Sequence, residues 1–394
     1  MLERKLVGLV VWMTVGVVSA ATYDEALRAW GGAGAVFELR GADGERRMAV
    51  DPDRQARLAA WTMDGESGRS IGWVSSEKEN VRMDSIAPEG AEQFLLGPEG
   101  GRYGVFFDAG KPLDQAHWRM PPLLTRARFS LLDRRSALAH FSLAGGVVNR
   151  SGRAFSLQVS RRLILLDELA VRSRMSVLLP EGVRFAGWES THTMQNTGSQ
   201  VWSAEGGQLA MRLRGTLRIS SSALVAVPRV APAGRSFRNP EQTDQADAGV
   251  RVGESITVIS PARIEQERVR FMPGRHLPVM VCWDPKQRWL AVIRYDQPDG
   301  ERRYVNDSWE EKASPYAGPS LILYKGEPGA NDPDERPLVW ESRSPALTLS
   351  PQQRAEFGQR VLTIEGTDAM LDRLCREMVG VGLADLSAAF LSSE

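Results

Sequence analysis

From residue 35 onward the chain is a succession of short apolar or alternating runs closed by Gly, Asp, Asn or Pro, with scarcely a helical period between them. The run 35–40 ends at Gly41-Ala42-Asp43-Gly44, a hairpin signal. Runs 140–143 and 155–161 flank the turn Asn149-Arg150-Ser151-Gly152, and 103–107, 209–214, 255–259, 278–283, 289–294 and 360–364 continue the series. Parallel strands need crossovers of about a dozen residues, usually helical. None are visible, so the pattern predicts an all-β chain built as one large antiparallel architecture. Two helices frame it. Thr22 caps a helix over 22–30 that Gly31-Gly32 stop, and Met370, Leu371, Leu374 and Met378 mark one face of a helix over 367–378, expected to cap a sheet edge. Segments 231–249 and 326–337 read as loops, and no repeat or linker divides the chain.

The first residues read as an address. Arg4 and Lys5 precede an apolar stretch over 6–18, and Val18-Ser19-Ala20 offers the small residues of a cleavage site. The stretch is shorter than the roughly 20 residues that span a bilayer. Residues 1–20 are therefore expected to be a secretory signal and 21–394 a single periplasmic or secreted domain with no stable membrane span. In that compartment Cys282 and Cys375 are free to pair or to stay as separate thiols.

Composition excludes several functions. Forty-nine basic and 49 acidic residues leave no net charge, so nothing points to nucleic acid. Two cysteines and four histidines do not supply a multi-cysteine zinc or iron–sulfur site. No phosphate loop, dinucleotide fingerprint, His-Glu-x-x-His pair or Gly-x-Ser-x-Gly elbow occurs. No metal site is assigned and no cofactor is expected, while cation binding by exposed carboxylates and oligomeric state stay open.

Several stretches then follow one another in a recognisable order: Thr22-Tyr23-Asp24-Glu25-Ala26-Leu27, Arg69-Ser70-Ile71-Gly72-Trp73-Val74, Leu96-Gly97-Pro98-Glu99-Gly100-Gly101, His117-Trp118, Asn149-Arg150-Ser151-Gly152, Trp188-Glu189-Ser190-Thr191-His192, Tyr304-Val305-Asn306-Asp307-Ser308-Trp309-Glu310 and Trp340-Glu341-Ser342-Arg343-Ser344-Pro345-Ala346. The ordered set resembles an uncharacterised bacterial family of mutarotase-like proteins. The resemblance implies a β-supersandwich of the galactose mutarotase type, in which a concave sheet face holds a sugar. One fold hosts many functions, so the site has to be argued separately.

Glu341 is the first candidate. Mutarotases use a glutamate near the C-terminal end as general base, and Glu341 falls in a comparable place beside Trp340, whose bulk would raise a carboxyl pKa by desolvation. His192 and Glu310 are the candidate acids. The histidine segments that mutarotases use are not found, and 209–214 stands where one would fall. Glu99, in a Gly-Pro-Glu-Gly-Gly turn, suits a ligand-facing loop and a tight turn equally. On a strand, Asn306 and Glu310 would share one face and Trp309 the other. His117 and Trp118 offer a polar ring beside an aromatic face for a sugar. The first reading is an extracytoplasmic carbohydrate-binding protein. The second is a sugar epimerase or other carbohydrate-active enzyme with Glu341 as base, and the third a structural envelope protein.

Overall fold

The structure is a computed structural model that describes residues 22–74, 90–126, 128–230, 247–265, 267–326 and 334–391. The proposed signal at 1–20 and most of the loops at 231–249 and 326–337 lie outside these residues.

Two antiparallel sheets stack face to face, the architecture expected of a β-supersandwich. One runs, in spatial order, β1 (Phe37–Arg40), β2 (Arg47–Asp51), β3 (Arg57–Thr62), β4 (Glu92–Gly97), β9 (Ala210–Ser220), β17 (Glu335–Arg343), β16 (Leu321–Lys325) and β13 (Val269–Phe271). The other runs β11 (Val250–Val252), β12 (Ile256–Ile259), β10 (Leu224–Pro228), β14 (Val279–Asp284), β15 (Trp289–Tyr295), β18 (Arg354–Glu365), β8 (Arg184–Asn196), β7 (Ala154–Leu165), β6 (Leu138–Val148) and β5 (Ser130–Arg135). The expected hairpin turns at 41–44 and 149–152 join β1 to β2 and β6 to β7. Between the sheets lies one apolar core that includes Phe94, Leu213, Leu217, Trp340, Phe141, Val159, Trp188 and Phe357.

The outer faces are covered differently, and this positions the site. Across the ten-stranded sheet, α3 (Glu168–Met175), α4 (Asp368–Val379) and α5 (Leu383–Ala388) lay Val171, Met175, Leu371, Leu374 and Leu386 onto Val281, Leu290, Val292 and Leu362. Strands buried on both faces lose polar alternation, which is why 279–282 and 290–293 read as unbroken apolar runs. The C-terminal helix thus lies over β10, β14 and β15, in the interior of the sheet's width and not on an edge as expected. Its partners are apolar side chains, and a sheet edge would have offered backbone polar groups instead.

On the eight-stranded sheet, α1 (Tyr23–Trp30) covers only one end. A capping box between Thr22 and Glu25 starts it. Its Tyr23, Ala26, Leu27 and Trp30 pack on Ala49, Ala59 and Ala60 of β2 and β3. The outer face of β4, β9, β17, β16 and β13 carries charged groups. The short α2 (Pro122–Thr125) sits over β6, inserting Leu123 and Leu124 into the main core.

One further sequence expectation changes, and one left open is decided. Residues 103–107 form turns and a single bridge, Phe107 to Trp118, rather than a strand. Cys282 and Cys375 are both free and buried. Cys282 faces the space between the sheets and Cys375 the helical layer, so the ten-stranded sheet itself stands between them.

Candidate functional site

Directly opposed residues in antiparallel strands point to the same face. Gln93 on β4 opposes Arg214 on β9, Arg214 opposes Glu341 on β17, Glu341 opposes Ile322 on β16, and Ile322 opposes Arg270 on β13. These five residues form a row across five strands on the outer face. A second row runs beside it through Leu95, Arg212 and Arg343. Strand alternation produces the arrangement. Leu213, Leu217 and Ile219 of β9 turn into the core while Arg212, Arg214 and Arg218 turn out. On β17, Trp340 turns in and Glu341 turns out. The Trp340 ring fills the space above Gly215, where a Cβ would stand 2.0 Å from Cζ2.

The rows meet two loops in a buried ionic cluster. Arg212 donates from Nε to Glu341 Oε1 at 2.8 Å and from Nη2 to Oε2 at 3.0 Å. Arg214 Nη2 donates to Oε2 at 3.1 Å, and Arg343 donates to Oε1 from Nη2 at 2.6 Å and Nε at 2.9 Å. Asp307 Oδ2 lies 2.5 Å from Arg343 Nη2 and 3.3 Å from Arg212 Nη1. Glu99 Oε2 lies 3.4 Å from Arg212 Nη1, its backbone N–H donates to Asp307 Oδ1 at 2.6 Å, and Trp309 Nε1 donates to its Oε1 at 3.3 Å. Gly100 permits this docking, because a Cβ there would stand 2.6 Å from the Ser308 carbonyl oxygen and 2.7 Å from Trp309 Cδ1.

The electrostatics follow from these contacts. Burial alone pushes the Glu341 carboxyl up, but the guanidiniums of Arg212, Arg343 and Arg214 outweigh it and hold the carboxyl well below the usual carboxylate range. Burial lowers Arg212, yet Asp307, Glu341 and Glu99 raise it well above its ordinary value. A general base works best with a pKa near the operating pH. Glu341 instead stays ionised around neutral pH, with its lone pairs committed to guanidiniums. The same face also holds unused hydrogen-bonding capacity. Gln93 is buried with neither amide atom bonded, and Arg343 Nη1 is buried without a hydrogen-bond acceptor. Among the described residues no three His, Cys, Asp or Glu side chains converge to hold a metal ion.

The interior face has its own ion pair. Glu92 accepts from Arg161 Nη2 at 2.8 Å, Ser190 Oγ at 2.6 Å and Gln359 Nε2 at 2.5 Å. Burial raises the Glu92 carboxyl despite these donors, and burial lowers Arg161 despite Glu92. His192 opposes Arg161, stacks on Phe94 at 5.0 Å and has both ring nitrogens buried without partners. Burial, then Arg161, push it well below its ordinary value, so it stays neutral.

His192 and Glu341 therefore lie on opposite sides of the eight-stranded sheet. No base–acid pair forms between them. Residues 306–310 are not a strand: the Asn306 side chain accepts from Ser308 N–H at 3.0 Å and donates to the Ser314 carbonyl at 3.0 Å, bending the backbone. The bend turns Asp307 and Trp309 into the cluster and leaves Glu310 exposed, the reverse of the strand expectation. Glu99 keeps the turn the sequence offered, but its carboxylate is buried against Arg212 and Trp309 and is not presented on a ligand-facing loop. His117 pairs with Asp114 at 2.6 Å in its own loop, and Trp118 stacks on Phe106 at 5.6 Å. Arg212, Arg214, Arg343, Asp307 and Gln93 were missed as site residues. The alternation Arg212-Leu213-Arg214 was visible and marks a charged strand face. An open groove of about 900 Å³ elsewhere, lined by Phe37, Arg40, Arg134 and Ser136, contains none of the candidates.

Solved structures resemble the chain at low sequence identity. A galactose mutarotase-like protein from Lactobacillus casei ATCC 334 superimposes with a TM-score of 0.50 at 11% identity, over 83% of this chain and 99% of that one. A putative aldose 1-epimerase from Escherichia coli K12 gives 0.48 at 11% identity, over 84% and 99%. At such identity the likeness is one of fold. No curated protein matches the chain in sequence. The model of one family, described as a family of unknown function (DUF6786), matches residues 21–390. By that match over almost its whole length, the chain belongs to this family of unknown function.

Proposed function

We propose that this protein is an exported carbohydrate-binding protein that holds its ligand on the outer face of the eight-stranded sheet, over the rows from Gln93 to Arg270, without using Glu341 as a base. The observation that carries the reading is unused hydrogen-bonding capacity on that side of the sheet, where the Gln93 amide and, two strands away, Arg343 Nη1 are buried without hydrogen-bond partners. A buried polar group without a partner costs about 1–3 kcal/mol. A ligand rich in hydroxyls, each a donor and an acceptor, relieves that cost for amide and guanidinium alike. Half-buried Trp309 and Tyr324 supply aromatic surface at the rim. The mutarotase-like fold supports a sugar as the ligand. Binding is favoured over epimerisation because a carboxylate gripped by three guanidiniums is a poor proton acceptor.

The test is a melting-temperature screen of the mature protein against neutral and acidic saccharides, with Gln93→Leu beside it. A bound ligand raises the melting temperature. The variant is expected to melt no lower than wild type, since it removes an unsatisfied amide, and to lose the saccharide shift. A saccharide shift of equal size in the variant would overturn the reading. Export rests on residues 1–20, and N-terminal sequencing of the periplasmic or secreted form is expected to begin at Ala21.

A further inference from the structure

The far half of the ten-stranded sheet carries a different chemistry. The helical layer ends at Ile164 of β7 and Phe185 of β8, which pack against it. Beyond them, among the described residues, no helix covers the outer face of β5, β6 and β7, and Asp133, His140, Ser142, Gln158 and Ser160 are half-buried there, within reach of solvent. His140 Nε2 lies 2.6 Å from Ser160 Oγ across β6 and β7. Asp133 on β5 opposes His140 on the side away from Ser160, with one carboxylate oxygen 3.2 Å from Arg135 Nε. Three adjacent strands thus present carboxylate, imidazole and hydroxyl in that order on one face. A serine within hydrogen-bond reach of an imidazole, with a carboxylate behind the ring, is the arrangement that turns a hydroxyl into a nucleophile. The other three histidines show what is particular to this pair. His192 is buried without a partner, His117 pairs with Asp114, and His276 reaches Ser320 at 2.9 Å where both are fully buried. His140 alone joins a serine where a substrate has access.

Gln158 and Arg162 flank Ser160 on its own strand and share its face. Gln158 Nε2 donates one N–H to Ser142 Oγ at 2.9 Å and has a second to give, and the exposed Arg162 guanidinium pairs only loosely with Glu189 at 4.0 Å. Both are donors beside the serine, the kind of group that a developing oxyanion needs. The residues opposite Ser160 are Ser142 on β6 and Thr193 on β8, small and polar, so they form no apolar slot for a long acyl chain. We infer that Ser160 and His140 form a catalytic site that cleaves carboxylic esters of short acyl groups such as acetyl, independently of the carbohydrate-binding reading above. Ser160 Oγ attacks the ester carbonyl carbon and gives its proton to His140 Nε2. The bond to the alcohol oxygen then breaks, and His140 returns the proton to that oxygen, leaving an acyl-serine. Water attacks the acyl group in the same way, its proton passing through His140 to Ser160 Oγ as the acid departs. Asp133 acts through His140 as a positioning residue.

The test labels the mature protein with a fluorophosphonate, which a nucleophilic serine attacks with loss of fluoride, and maps the adduct by peptide mass spectrometry. The adduct is expected on Ser160. Turnover is followed with 4-nitrophenyl acetate, with equimolar free imidazole as the background. Ser160→Ala is expected to fall to that background and His140→Gln to lose about a hundredfold in labelling rate. Ser156→Ala, on the same exposed face of β7, is expected to keep the wild-type rates. Asp133→Asn is expected to slow labelling and Asp133→Glu to recover part of the rate, with melting temperatures unchanged. Wild-type protein that carries no adduct on Ser160 overturns the inference without recourse to any variant. A Ser160→Ala rate equal to wild type also overturns it. Faster turnover of 4-nitrophenyl decanoate than of the acetate overturns the short-acyl assignment, and labelling indifferent to position 133 overturns the role given to Asp133.

Discussion

Glu341 Oε1 accepts from Arg212 Nε at 2.8 Å across the β9–β17 ladder, while Arg343, two residues along its own strand, reaches back to the same oxygen at 2.6 Å. One carboxylate thus organises the guanidiniums of both strands. Replacing it with Gln leaves three buried cations around a neutral amide. Glu341→Gln is expected to lower stability by about 3–5 kcal/mol at neutral pH, the scale of breaking a buried pair from one side. The pH dependence has a definite sign. The folded carboxyl lies well below its ordinary 4.5, so its contribution is present above the unfolded value and lost as pH falls through the folded one. Urea melts of wild type and variant should therefore converge below pH 4.5. A variant as stable as wild type at pH 7 would contradict the account.

The interior pair behaves differently when it is removed whole. Glu92→Gln alone strands Arg161 between the sheets and should cost about 3–5 kcal/mol. The double replacement Glu92→Leu with Arg161→Met fills the same space with apolar groups and should recover most of the loss. A double-mutant cycle by denaturant unfolding measures this. If the double variant is as unstable as the sum of its singles, the pair is not the coupled unit described.

His192 gives a second pH signature. Its folded pKa is held well below 6.5, so the unfolded chain takes up a proton that the folded one refuses. Stability is complete above pH 6.5 and falls as pH drops through the folded value. His276, lowered to about 4 by burial despite its bond to the Leu277 carbonyl, adds the same trend down to about pH 4. His192→Phe keeps the stack on Phe94 and removes one of the two contributions. The stability slope between pH 6.5 and 4 should flatten, with little change at pH 7.5. An unchanged slope would mean that His192 protonates in the folded state.

Gly215 of β9 lies directly against the Trp340 ring. Gly215→Ala drives a methyl into the Trp340 ring and should cost about 1–3 kcal/mol. The indole has to move, so its 3.0 Å bond to Gln359 Oε1 breaks and its fluorescence shifts. Thermal melts and emission spectra check both, and an unperturbed spectrum would mean that the ring has another place to go.

Much of the fold could be read from the chain because its signals are local. Turns at 41–44 and 149–152, the Thr22 cap and the apolar runs of β14, β15 and β18 depend on neighbouring residues, and all appear where expected. The α3 helix did not stand out, since only Val171 and Met175 are buried in it and its apolar stripe is thin. The site was harder. Glu341, Glu99 and Trp309 were picked out, but their partners Arg212 and Asp307 come from segments more than 100 and more than 30 residues away from Glu341, and only the strand register brings them together. The surroundings of His192 are not legible in the sequence, because spacing does not say which side of a sheet a strand residue faces. Asn306 and Glu310 were paired by a strand period that the Asn306 turn abolishes.

The alternation in β9 and β17 carries a wider consequence. Each strand writes two messages on one ribbon, packing on the odd or even positions and charge on the others. A single inserted or deleted residue would swap them, driving arginines between the sheets and tryptophan or leucine onto the outer face. Such a lineage can change its charged outer face only by exchanging side chains in place or by rebuilding the loops that carry Glu99 and Asp307. Length changes within these two strands are closed to it.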